Sequence, residues 1–127
     1  MADVQIQIQD ALFGDKAGKV VRFAGQLDET NVDEEAKKIY QVVDQSELPY
    51  IMLDFGELTY MNSKSIGYLT DWYTRIAEKG GMIVVAQPQP NILDILKVVG
   101  ITQIVSVYET IEAASQALAA GAVNPAS

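Results

Sequence analysis

Residues 4–12, VQIQIQDAL, alternate apolar and polar side chains, the mark of a strand with one buried face. GDKAG makes a turn, and KVVRFAG (residues 19–25) reads as the second strand of a hairpin. The period then changes. Val32, Ala36, Ile39 and Val43 recur at helical spacing, with Thr30 or Asn31 as N-cap, acids in the first turn and Pro49 as the stop. YIMLDF (50–55) is a short continuous apolar run, the pattern of a strand buried on both faces. After a loop from Gly56 to Asn62, Ile66, Leu69, Tyr73 and Ile76 define the apolar stripe of a helix that starts at Ser63 and ends at Gly80-Gly81. MIVVA (82–86) is another buried strand. NILDILKVV gives a short helix closed by Gly100, IVSVY (104–108) a last strand, and Thr110 caps a final helix.

The resulting order is β-β-α-β-α-β-α-β-α. Strands separated by single helices imply parallel pairing with right-handed crossovers, so the fold class is α/β: a mixed, mostly parallel sheet with an N-terminal hairpin and about four helices. No linker divides the chain. One domain over residues 1–121 and a flexible tail, 122–127, are expected.

Composition removes several kinds of chemistry. The 127 residues include no cysteine and no histidine, so thiolate nucleophiles, Cys- or His-ligated metals and a Ser-His-Asp triad are out of reach. The formal net charge is −8, and residues 28–35, DETNVDEE, hold five carboxylates, whereas the nine Lys and Arg are scattered. Without a basic patch a nucleic-acid partner is not expected; a surface this acidic suits solubility or a basic protein partner. The N-terminus MADVQIQIQD lacks a signal-like apolar segment, and the longest apolar stretches are shorter than the roughly 20 residues of a membrane span. A cytoplasmic protein without cofactor or metal is the expectation.

The segment YMNSKSIGYL (60–69) stands out because it sets small polar residues at the carboxyl end of a buried strand, where open α/β sheets place functional groups. Asn62 suits the N-cap of the following helix. The plain reading is a capped helix start and nothing more. Nucleophilic catalysis by Ser63 would need a base, and Lys64 points about 100° away on the helix, so an enzyme is not expected. Lys64-Ser65 matches the end of a phosphate-binding loop, but the glycines before it are missing. Asp54 would suit a receiver phosphoacceptor, yet only an isolated Asp10 follows the first strand, where a Mg²⁺-binding acidic pair is needed. A phosphoserine, in contrast, fits a helix N-terminus, where the macrodipole favours its charge. Opposite the apolar stripe, Lys64, Tyr68, Trp72, Arg75 and Lys79 follow at helical spacing. They form either a contact surface of the aromatic and Arg type found at interface hot spots, or a face half-buried on a neighbouring helix.

AGQLDETN, LDFGELTYMNSKSIGYL and GGMIVVAQPQPNILDILKVVGITQIVSVYETIEAA together resemble the STAS domain of bacterial anti-sigma factor antagonists, over roughly residues 4–120. The resemblance implies a regulatory protein that binds a cytoplasmic serine-kinase anti-sigma factor. The kinase phosphorylates a serine in a signature close to Asp-Ser-Ser-Gly-Leu-Gly, and a PP2C-type phosphatase reverses this. On this chain the signature becomes Asn62-Ser63-Lys64-Ser65-Ile66-Gly67, which puts the phosphoacceptor at Ser63, the switch loop at Asn62, Lys64, Ser65 and Gly67, and the family's loop aspartate at Asp28, near the partner. Asn62 replaces an aspartate, and Lys64 and Ser65 stand where the family has Ser and Gly. With Tyr68, Trp72 and Arg75 these residues make up the expected partner surface. The alternative is a constitutive STAS scaffold or ligand-binding module that phosphorylation does not regulate.

Overall fold

The computed structural model describes residues 3–45 and 49–121. The chain runs β1 (Val4–Phe13), β2 (Lys16–Leu27), α1 (Val32–Gln45), β3 (Tyr50–Met61), α2 (Ser63–Glu78), β4 (Met82–Ala86), α3 (Pro90–Val98), a 3₁₀ turn (Ile101–Gln103), β5 (Ser106–Tyr108) and α4 (Ile111–Ala120). The strands form one sheet in the order β1-β2-β3-β4-β5, with β1 antiparallel to β2 and every other pair parallel. The element order and the hairpin are those the periodicity predicts. The predicted tail, 122–127, lies outside the described residues.

Side-chain alternation assigns the two faces of the sheet. In β4, Ile83 and Val85 belong to the larger core cluster, with Ile39 of α1, Leu69 and Ile76 of α2 and Ile92 and Leu96 of α3. Met82, Val84 and Ala86 belong to the smaller one, with Ala114 and Leu118 of α4. The run MIVVA is apolar throughout because helices cover it on both sides. Each such fully buried aliphatic side chain contributes about 2 kcal/mol of transfer free energy.

Three boundaries differ from the sequence expectation. The hairpin turn contracts to Gly14 and Asp15, because Phe13 pairs with Lys16. β5 begins only at Ser106, since Ile104 and Val105 both donate to Ile101 O and close the 3₁₀ turn. The third difference matters most for the site. Residues 56–61 are not a loop: β3 continues through them alongside β2, and the ladder runs out to Leu27 opposite Met61 after two irregularities, at Arg22/Ala24 and Gly25/Gln26. Leu58 and Met61 still bury their side chains while Glu57, Thr59 and Tyr60 are exposed, so burial becomes intermittent where the register shifts between Gly25 and Gln26. This delivers Asn62 to the carboxyl edge of the sheet beside the end of β2.

Candidate functional site

At that edge the Asn62 amide donates to Leu27 O at 3.2 Å. The residue before Asp28 and the residue before Ser63 are therefore hydrogen-bonded, and two loops distant in sequence adjoin. Asn62 caps α2 as its residue type predicts: with extended backbone (φ −94°, ψ 177°), its Oδ1 accepts from the Ser65 amide at 2.9 Å and the Ser65 hydroxyl at 2.6 Å. Ser63, the first residue of the helix, is exposed, as is Gly67 one turn later on the same face. An added Cβ at Gly67 would meet nothing within 4 Å, so the glycine is not there for packing.

Ser65 turns the other way. It is 2% exposed and takes a place on the buried face of α2 with Leu69, Trp72 and Ile76. The predicted stripe of Ile66, Leu69, Tyr73 and Ile76 is therefore rotated toward α1, because α2 packs against that helix as well as the sheet. Of the two expectations for the Tyr68–Trp72 face, the structure shows the one in which it is buried on a neighbouring helix, and it corrects Trp72 as an exposed partner-surface residue. Trp72 is 4% exposed. It stacks on Tyr68 (centroids 6.3 Å apart, rings inclined by 15°) and meets Tyr40 of α1 edge-on at 6.2 Å. Tyr68 packs against the core and keeps only partial exposure. Arg75 alone of the three remains on the surface, its guanidinium 4.6 Å from the Tyr40 ring and its Nε 3.2 Å from Asp71.

Polar groups complete the seam between α1 and α2. Lys64 Nζ lies 2.8 Å from Asp33 Oδ1, and the Tyr68 hydroxyl donates to the same oxygen at 2.6 Å. Lys64 and Tyr68 hold the Asp33 carboxyl below its ordinary range, and Asp33 in turn raises the Lys64 ammonium and the Tyr68 hydroxyl. Tyr40 donates to Asp71 Oδ2 at 2.5 Å; burial first, and then that carboxylate, push its phenol up to about 12. Asp33, Tyr40 and Asp71 were not among the residues singled out from sequence. The acidic run marked the region of Asp33, but only packing shows which of its carboxylates reaches α2.

Asp28 forms the neighbouring turn. Its Oδ1 accepts from Thr30 Oγ1 at 2.6 Å and Thr30 N at 2.9 Å, which lowers its pKa, and its carbonyl accepts from Val32 N at the start of α1. Its amide donates to Asn31 Oδ1. A shallow cleft beside it is lined by Asp3, Gln26, Glu29, Thr30 and Thr59. Asp28 thus flanks Ser63 through the Leu27–Asn62 bond, while Trp72 lies below the surface.

Asp54 does not end its strand. It sits inside β3, two residues beyond Met52 and so on the α4 face of the sheet, away from α2. Its Oδ1 accepts from Gly56 N and Gln87 Nε2, both at 3.0 Å, and its Oδ2 from Arg22 Nε at 3.0 Å. Burial opposes the charge, but these donors together keep the carboxyl below its ordinary value. Among the described residues no cluster of three or more acidic side chains could hold a metal ion, and no helix is long and apolar enough to cross a membrane.

The chemistry open to Ser63 is narrow. A serine nucleophile needs a neighbour that takes its proton. The nearest basic side chain in sequence, Lys64, is paired with Asp33 and held protonated. Ser63 itself is an exposed hydroxyl on the first residue of a capped helix.

A model of the STAS domain matches residues 4–114. The chain belongs to the STAS domain family. It is similar to the anti-sigma F factor antagonist of Paenibacillus polymyxa, 26% identical over 90 residues that span 71% of this chain and 77% of that one. In structure it resembles an anti-sigma factor antagonist from Mycobacterium paratuberculosis (TM-score 0.79, 19% identity, covering 91% of this chain and 94% of the other). The Bacillus cell fate determinant SpoIIAA in its phosphorylated form also matches (TM-score 0.66, 21% identity, covering 87% and 96%). These likenesses establish the fold, an α/β STAS domain with four helices and a five-stranded mixed sheet, in an anti-sigma factor antagonist-like protein.

Proposed function

We propose that this protein is an anti-sigma factor antagonist that binds a cytoplasmic serine-kinase anti-sigma factor through the surface around Ser63. Phosphorylation of Ser63 switches binding off, and a PP2C-type phosphatase restores it. The observation that carries the reading is the presentation of Ser63: an exposed hydroxyl at the first position of α2, with its turn held by Asn62 and open space above Gly67. A phosphate there leaves the fold intact, because the side chain touches solvent and the helix dipole favours the charge. It alters the surface a partner meets. The similarity to an anti-sigma F factor antagonist, and to a neighbour known in a phosphorylated form, supports this reading. The protein acts by contact and performs no catalysis of its own.

The test is incubation with the cognate kinase and ATP, with the phosphate located by mass spectrometry. Modification at Ser63, its loss in Ser63→Ala and weakened partner binding in Ser63→Asp are the expected results. No phosphate at Ser63 would overturn the switch, and partner binding indifferent to Ser63→Asp would point to a constitutive scaffold.

A further inference from the structure

Beneath the turn that carries Ser63, a small cavity lies between the sheet, α1 and α2. Apolar side chains such as Phe23, Phe55 and Leu69 wall it, and three polar ones reach it: Glu35 from α1, Ser65 and Trp72 from α2. The Trp72 indole N–H can only donate. It is buried and has no acceptor among the described residues, a situation that native interiors rarely leave unresolved. Ser65 already spends its hydroxyl proton on Asn62 Oδ1, so toward the cavity it offers lone pairs. Glu35 Oε2 is buried and lies 2.8 Å from Lys38 Nζ, an ion pair without the geometry of a hydrogen bond, so it too has accepting capacity left.

The cavity admits the centre of a water molecule over about 10 Å³, which is room for one and for no larger ligand. We propose that a single ordered water occupies it, accepting from Trp72 Nε1–H and donating to Ser65 Oγ and Glu35 Oε2. The directions follow from the chemistry. Trp72 can only donate, so the water must accept there and has both protons left for the two acceptors. Three polar partners are typical of a buried water. Because the water donates to Ser65, the Ser65 proton is committed to Asn62. The water therefore orders a chain from Trp72 through Ser65 to the cap that presents Ser63, and ties that cap to α1. Ser65 is a positioning residue, and the inference holds whether or not Ser63 is phosphorylated.

A high-resolution crystal structure of the full chain decides occupancy. Expected is a density peak within hydrogen-bond distance of Trp72 Nε1 and Ser65 Oγ. The chain has one tryptophan, so its single indole N–H signal should also show a dipolar cross-peak to water in solution. An empty cavity, or an indole N–H bonded to a protein atom, overturns the proposal. The positioning role is read by hydrogen exchange in Trp72→Phe, which keeps a ring and removes the donor. The Ser65 amide should exchange about tenfold faster while Val84 and Val85 amides in β4 hold their rates. A Ser65 rate that stays unchanged, or moves only in step with β4, removes that role.

Discussion

Lys64 and Tyr68 converge on one oxygen of Asp33, at 2.8 and 2.6 Å. The residue next to Ser63 in the chain is thereby tied to the first turn of α1, and an anion on Ser63 would compete with Asp33 for the same ammonium. Such an exposed pair contributes little to stability, so it can be exchanged at small cost. In protein carrying phosphoserine at position 63, the second phosphate pKa, ordinarily about 6, should be lower with Lys64 present than in Lys64→Gln. Phosphorus NMR titration measures it. Equal values would show that Lys64 stays with Asp33.

Gly67 weakens the helix it sits in without filling any packing need. Gly67→Ala should therefore raise stability by about 0.5–1 kcal/mol in denaturant unfolding. Gly67→Trp should leave the fold intact and block the approach of a partner to Ser63, seen as lost partner binding with an unfolding midpoint no lower than the parent's. Full binding by Gly67→Trp would place the partner elsewhere.

Trp72 is a core residue. Trp72→Ala should cost about 3–5 kcal/mol of stability through lost burial and the cavity left behind, measured by equilibrium unfolding. Arg75→Ala, at an exposed position, should cost far less. A Trp72→Ala protein of parental stability with a specific binding defect would contradict the packing.

Asp54 should make stability depend on acid. Its pKa is lowered in the folded protein, so its contribution is fully present above the unfolded value of about 3.9 and is lost as pH falls through the folded value. Asp54→Asn keeps the shape and cannot make that gain. The variant should be less stable than the parent at pH 7, by about 1–3 kcal/mol, and the gap should narrow as the pH falls below about 4. Parallel stability curves would mean that the Arg22, Gly56 and Gln87 contacts do not depend on the charge.

Much of the fold was legible because its signals act over short distances. The strand at VQIQIQDAL, the cap at Asn62 and the Gly100 stop each depend on residues within a turn or two, and each forms as read. The single buried face expected of that strand does not: Val4 and Ile6 pack on the larger core, Ile8 and Leu12 are exposed, and Ala11 and Phe13 pack on the opposite face. The full length of β3 is not legible locally, because the pattern changes at Gly56 from two-sided to one-sided burial while the backbone partner that keeps the strand going belongs to β2. In α2 the expected stripe packs as its spacing indicates, with Leu69 and Ile76 buried and Ile66 and Tyr73 partly so, but Ser65 and Trp72 join the buried face. Its own spacing shows that it is amphipathic, but the arc it buries is widened by α1, which a single helix cannot reveal.

The sequence by itself determined the order of elements, the exclusion of histidine and cysteine chemistry, and the place of Ser63 at a capped helix start, because propensity, capping and functional-group chemistry are local. Only the tertiary structure decided that Asp28 adjoins Asn62, that Asp33 holds Lys64 and Tyr68, and that Trp72 and Ser65 face inward with Glu35. Those relationships join residues far apart in the chain, 35 positions for Asp33 and Tyr68, and sheet register and helix packing bring them together, which no local pattern encodes.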